Sequence, residues 1–96
     1  MIILFVLGGG PVGCEMAQAW HSLGTDTVIL AQASDRLLPR LEPFAGEEVR
    51  AAMEEQGITV LTGSAGRANR VERDGDGAVT VTMADGSTYT TDEILV

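Results

Sequence analysis

Residues 8–13 read Gly-Gly-Gly-Pro-Val-Gly, a G-x-G-x-x-G pattern, and its setting constrains the fold of this chain more than any other feature. Before it stands a continuous apolar run, Ile2-Ile3-Leu4-Phe5-Val6-Leu7. A run without polar alternation suits a strand covered on both faces, as in a parallel sheet. After it, Val12, Met16, Ala19, Trp20 and Leu23 fall at offsets 0, 4, 7, 8 and 11. That is one stripe of a helix and its expected core face, with Trp20 inside. Gly24 is the expected C-terminal cap. A glycine-rich bend between a buried strand and a helix is the context that gives the pattern meaning.

In that context the small residues divide the work. Gly8 permits the tight strand-to-helix bend, and Gly13 lets the helix pack against the strand. Gly10 lacks a Cβ, so a pyrophosphate can approach the backbone there. The helix N-terminus, with Gly9, Pro11 and Val12 around it, offers unpaired N–H groups and a partial positive charge to phosphates. Pro11 is tolerated in the first turn but removes one donor. Glu15 follows near the same end. The bland alternative is a glycine-rich turn with no ligand.

The rest of the chain argues against that alternative. Thr27 to Ala31 reads as a second buried strand, and Ser34 to Arg40 as a connection. Leu41-Glu42-Pro43 looks like a helix entrance, with Ala45, Val49, Ala52 and Met53 at helical spacing and Gly57 at the end. Ile58 to Leu61 is a third strand. The order β-α-β-α-β with short connections predicts an α/β, Rossmann-like three-layer domain. Arg70 to Arg73 and Val79 to Met83 then flank Asp74-Gly75-Asp76-Gly77, a strong hairpin signal. A turn at Ala84-Asp85-Gly86 leads to Ser87 to Thr90, completing a three-stranded antiparallel β-meander. As a calcium loop the Asp74 segment fails, because Ala78 stands where a third oxygen ligand belongs. Glu93 to Val96 is a final parallel strand. With apolar strands at both extremes, residues 1–96 are expected to be one domain excised from a larger chain.

Charge narrows the partners. The net charge is −8, from 14 acidic residues and 6 basic ones, all of them scattered arginines. The absence of a basic stripe argues against nucleic acid and anionic membrane surfaces. The opening apolar run is too short to span a bilayer and lacks the marks of a secretion signal. The single cysteine, Cys14, fits a reducing cytoplasm. It reads as a small packed residue, with a thiol of lowered pKa at a helix start as the alternative. His21, three residues before the end of the first helix, reads as a surface or C-terminal-dipole residue and not as a catalytic one.

The end of the second strand bears on the adenosine ribose. NAD sites commonly place Asp or Glu there, about 20 residues past the glycines. This chain has Ala31-Gln32-Ala33-Ser34-Asp35-Arg36, with no acid at the expected position. Without that carboxylate a 2′-phosphate meets no repulsion. Gln32 and Ser34 can donate to either form, and Arg36 can pair with a phosphate. The reading leans to NADPH and leaves NADH open. Ala31 also weakens a rival reading, the FAD-binding half of a flavoprotein. A non-enzymatic Rossmann-like interaction module is the third.

Leu7 to Ala17 resembles the second Rossmann fingerprint of the pyridine nucleotide-disulphide oxidoreductases, the family that includes dihydrolipoamide dehydrogenase, mercuric reductase and glutathione reductase. Asp35 to Arg40, Gly57 to Val60 and Ala84 to Gly86 resemble later segments of the same domain. The resemblance implies a central NAD(P)H-binding domain that delivers hydride to FAD, held between FAD-binding and dimerisation domains of a homodimeric parent enzyme. It also implies that Glu15 lies near the nicotinamide. The family's paired redox cysteines and its His-Glu acid–base pair are not in this chain, so by itself the domain is expected to be inactive.

Overall fold

The computed structural model describes residues 2–34, 36, 37 and 43–95. The chain runs β1 (Ile3–Leu7), α1 (Pro11–Ser22), β2 (Thr27–Gln32), α2 (Pro43–Glu55), β3 (Thr59–Thr62), a short 3-10 turn (Gly63–Gly66), β4 (Ala68–Arg73), β5 (Val79–Met83), β6 (Thr88–Thr91) and β7 (Glu93–Leu95). The sequence expectations at Asp35, Leu38 to Glu42 and Val96 lie outside the described residues. The fold is α/β, as the periodicity predicts. One sheet has the order β3-β2-β1-β7, all parallel, and a second has the antiparallel order β4-β5-β6.

Three layers follow from the pleat of β1 and β2. Successive side chains of a strand point to opposite faces. Leu4, Val6, Val28 and Leu30 join Cys14 and Ala17 of α1 and Met53 of α2 in one core. Phe5, Ile29 and Ala31 join Val79, Val81 and Met83 of the meander in another. The unbroken apolar runs of β1 and β2 are therefore two interleaved faces, each covered. β5 alternates as expected, its three apolar residues buried between half-exposed threonines. Phe5 and Tyr89 meet with ring centroids 5.8 Å apart, which helps to seat β6 on the sheet.

Both helices end in the same device. After α1, Gly24 N–H donates to His21 C=O (3.1 Å) and Thr25 N–H to Trp20 C=O (3.2 Å). After α2, Gly57 N–H donates to Glu54 C=O and Ile58 N–H to Met53 C=O, both at 3.0 Å. Gly24 and Gly57 share φ +96°, a conformation natural to glycine. This is the Schellman motif, and it turns each helix directly into the next strand. At the far end of the chain, Asp92 N–H donates to Ile3 C=O (2.9 Å) while its carboxylate accepts from Ile3 N–H (2.6 Å). That exchange sets β7 beside β1.

The expected core face of α1 is corrected by the structure. Val12 and Leu23 are 73% and 77% exposed, and Met16, Ala19 and Trp20 also face outward. The buried face is made by Cys14 and Ala17, with Gly13 beside them. At about 100° per residue these two faces lie more than a third of a turn apart. Small residues win the inner position because the start of α1 runs against the β1 backbone, where large side chains have no room. In α2, Met53 is buried and Val49 partly so, but Ala52 is exposed. Gly46 takes the inner position, since a Cβ there would stand 2.2 Å from the Leu37 carbonyl oxygen. His21 stands in the last turn of α1, as expected, and is half-buried beside Gly57. Among the described residues no helix is long and apolar enough to cross a membrane.

Candidate functional site

Each residue of the bend between β1 and α1 has its own steric setting. Gly8 has φ +119°, and its N–H donates to Ala31 C=O at 2.8 Å, extending the β1–β2 ladder into the bend. Gly9 is buried, and a Cβ on it would stand 2.7 Å from both Gln32 and Leu37. A Cβ on Gly13 would stand 1.7 Å from the Gly8 carbonyl oxygen. The chain itself therefore demands glycine at these three positions. Gly10 is different. Its φ of −78° and ψ of −176° suit any residue, and a Cβ on it would meet nothing within 4 Å. Among the described residues nothing fills the space in front of Gly10.

That space faces the start of α1. Gly10 is the N-cap and supplies no side-chain bond, and the first intrahelical bond runs from Cys14 N–H to Gly10 C=O at 3.0 Å. The N–H groups of Val12 and Gly13 consequently lack intrahelical partners, and Pro11 has none to offer. The result is an open, partly positive bend at the carboxyl ends of β1 and β2, suited to an anion.

Two clefts flank the bend. One, of about 540 Å³, lies between β1 and β7 and is lined by Val6, Leu7, Gly10, Val12, Met16 and Leu95. It is almost wholly apolar and suits a flat ring. This is also where the strand order reverses, the switch point at which open α/β sheets bind ligands. The other, of about 350 Å³, is the more polar of the two and lies beside the end of β2. Ala31, Gln32 and Ala33 line it with Gly66 and Arg67. Leu7 and Gly8 border both clefts, so one extended ligand can cross the bend from one to the other.

Gln32 is the hinge of the polar side. Its Oε1 accepts from Gly9 N–H at 2.6 Å, and its Nε2 donates to Ser34 Oγ at 2.8 Å. Ser34 Oγ donates in turn to Arg36 C=O at 3.1 Å. The amide thus ties the glycine bend to the loop after β2. Of the residues that the sequence singles out, Gly8, Gly10, Pro11, Val12, Gly13, Ala31 and Gln32 line the clefts. Gly9 supports them from below. Glu15 is exposed on α1 and lines neither cleft, nor does Arg36, whose Nε is buried.

Gly66 and Arg67 were not legible in advance. A Cβ on Gly66 would stand 2.2 Å from the Gln32 carbonyl oxygen and 2.5 Å from that of Leu61. That glycine lets the 3-10 turn press against the end of β2. The only signal in the sequence is the pair of glycines in Gly63-Ser64-Ala65-Gly66. Cys14 is a packed residue: burial, and secondarily the Glu15 charge, raises its thiol pKa, and its Sγ lies 3.6 Å from Gly9 O. The lowered-pKa alternative is thereby set aside. Asp74 and Asp76 serve the hairpin, with Asp76 accepting from Ala78 N–H at 3.1 Å.

Residues 3–96 match the pyridine nucleotide-disulphide oxidoreductase family. A mercuric reductase of Bacillus cereus is 44% identical over 73 residues, which are 76% of this chain and 11% of that protein. A dihydrolipoyl dehydrogenase of Haloferax volcanii is 35% identical over 95 residues, 97% of this chain and 20% of that one. The crystal structure of a ferredoxin reductase from Rhodopseudomonas palustris superposes with a TM-score of 0.89 at 26% identity, covering 99% of this chain and 23% of its own. This chain therefore spans between about a tenth and a quarter of the length of these relatives.

Proposed function

The chain belongs to the pyridine nucleotide-disulphide oxidoreductase family, and from that premise we propose that it binds NADH or NADPH across the Gly8–Gly13 bend and presents the cofactor to an FAD held elsewhere in a longer enzyme. The observation that carries this reading is Gly10, a glycine that the fold does not require, opening onto the free N–H groups of α1. A pyrophosphate is the group that such a bend receives, and its close approach explains the missing Cβ. The apolar cleft beside Met16 and Leu95 then takes the nicotinamide, and the polar cleft beside Gln32 takes the adenosine.

The bound nicotinamide supplies the hydride; the chain supplies position. Gln32 holds the Gly9 amide so that the bend keeps one shape. The N-terminus of α1 neutralises phosphate charge. Val6, Val12 and Met16 exclude water from one side of the ring site. Glu15, at the outer rim, reaches the nicotinamide only if the other domains press the cofactor toward it.

The parent enzyme is part of the same proposal. The matched relatives are about four to seven times as long, and α1 carries an outward apolar stripe of Val12, Met16, Trp20 and Leu23. Contiguous exposed apolar surface marks an interaction site. FAD-binding and dimerisation domains of a cytoplasmic, homodimeric flavoenzyme are the proposed cover. The stripe equally fits a pure interaction module, but that reading leaves Gly10 unexplained.

Calorimetric titration of the chain with NADH and NADPH tests the function. Binding of at least one is expected, and Gly10→Ala should weaken it about tenfold or more, the effect of about 1.4 kcal/mol. Heat with neither cofactor, or unchanged affinity in the folded variant, refutes it.

A further inference from the structure

Resting on the dinucleotide reading above, we infer that Arg67 recognises the adenosine end of the cofactor and that the group it takes is a 2′-phosphate, so that this chain selects NADPH. The ribose of a dinucleotide bound in this way lies at the end of the second strand. Here that is Ala31-Gln32, with no carboxylate to receive a 2′-hydroxyl. Arg67 is the one charged residue among the described lining of that cleft.

Its place is built rather than incidental. Gly66 is clamped between the carbonyl oxygens of Gln32 and Leu61, too close for any side chain. On the other side, Ala84 N–H donates to Arg67 C=O at 2.8 Å. The backbone that carries Arg67 is thus held from both directions against the end of β2, in extended conformation. Its side chain is exposed and, among the described residues, has no hydrogen bond or ion pair.

That is unusual in so acidic a chain. Arg50 pairs with Glu54, Arg70 with Glu72 and Arg73 with Glu93. Arg36 lines neither cleft. Gln32 has already used its oxygen on Gly9 and one N–H on Ser34, so it can add at most one bond to a ligand. A phosphate in this cleft finds its countercharge in Arg67. Planar guanidinium and phosphate match in two parallel bonds.

The experiment titrates the chain and its Arg67→Ala and Arg67→Lys variants with NADPH, NADH, 2′,5′-ADP and 5′-ADP. The unmodified chain should bind NADPH and 2′,5′-ADP about tenfold or more tightly than their unphosphorylated partners, as one charge-assisted contact allows. Arg67→Ala should erase the difference by lowering NADPH affinity about tenfold more than NADH affinity at an unchanged melting temperature, and Arg67→Lys should keep part of it. Equal losses for NADH and NADPH place the guanidinium at the adenine ring and overturn the inference. So does unchanged selectivity, or an unmodified chain that prefers NADH. An unmodified chain that binds neither cofactor defeats the dinucleotide reading itself, and is distinguished from the other failures by that result.

Discussion

Among the described glycines, Gly13 is the one where an added Cβ would have least room, which Gly13→Ala tests. The added methyl would stand 1.7 Å from the Gly8 carbonyl oxygen and 2.8 Å from its carbon, where real Cβ contacts do not fall below 3.0 Å. Relief needs a backbone shift of more than an ångström. The Gly8 peptide cannot give easily, because its N–H is bonded to Ala31 C=O at 2.8 Å in line with the β1–β2 ladder. Moving α1 instead lifts Cys14 and Ala17 out of the core they fill with Leu4, Val6 and Leu30. Overpacking of side chains costs about 1–3 kcal/mol, and a backbone obstacle lies at the upper end or beyond. Helix propensity returns about 1 kcal/mol for alanine over glycine. The net expectation is a loss of about 2–3 kcal/mol, a large share of the roughly 5–14 kcal/mol typical of a chain this long. At about 4–8 °C per kcal/mol the melting temperature should fall by about 8–24 °C. Differential scanning calorimetry reads this directly, with Gly10→Ala as the matched control. That variant meets no atom within 4 Å and sits at an ordinary φ; the entropy gain of about 0.4–1 kcal/mol offsets alanine's poorer fit at an N-cap, so its stability should hold to within about 1 kcal/mol. If Gly13→Ala melts within about 4 °C of the unmodified chain, the argument that the fold itself demands this glycine is wrong.

Three other outcomes follow from named contacts. Met53→Ala empties a fully buried site between α2 and the sheet and should cost about 2–5 kcal/mol in urea unfolding; a loss below about 1 kcal/mol would show that the site collapses freely. Gln32→Glu keeps an acceptor for Gly9 N–H but brings a negative charge to the polar cleft, so the ratio of NADPH to NADH affinity should fall by about tenfold, and an unchanged ratio would remove the ribose from that cleft. The Arg73 guanidinium, bonded to the Glu93 carboxylate, and the Ile94 N–H hold the Glu93 pKa below its ordinary value. A lowered folded pKa means that the pair's contribution is complete above the ordinary glutamate range and is lost only as pH falls through the lowered value. NMR titration should show that low midpoint, and Arg73→Ala should raise it toward the ordinary value, with the Ile94 N–H keeping part of the shift; a midpoint indifferent to Arg73 contradicts the assignment.

Much of this molecule is written locally. The order of strands and helices, the caps at Gly24 and Gly57, the hairpin at Asp74 to Gly77 and the bend at residues 8–13 depend on short-range sterics and on spacing of 2 or about 3.6 residues. A sequence displays those directly, which is why the α/β architecture and the glycine bend could be anticipated. What it does not display is which face of an element finds the closest neighbour. Val12, Met16, Trp20 and Leu23 form the more hydrophobic stripe of α1, yet Cys14 and Ala17 are buried, because proximity to the β1 backbone selects for size before hydrophobicity. Distance along the chain hides the rest of the site. Gly66 and Arg67 reach Gln32 only after the third strand has paired and the 3-10 turn has folded back over the end of β2. No local pattern marks an arginine 35 residues after Gln32 as its neighbour. The parallel sheet, which brings separated strand ends to one edge, makes that choice.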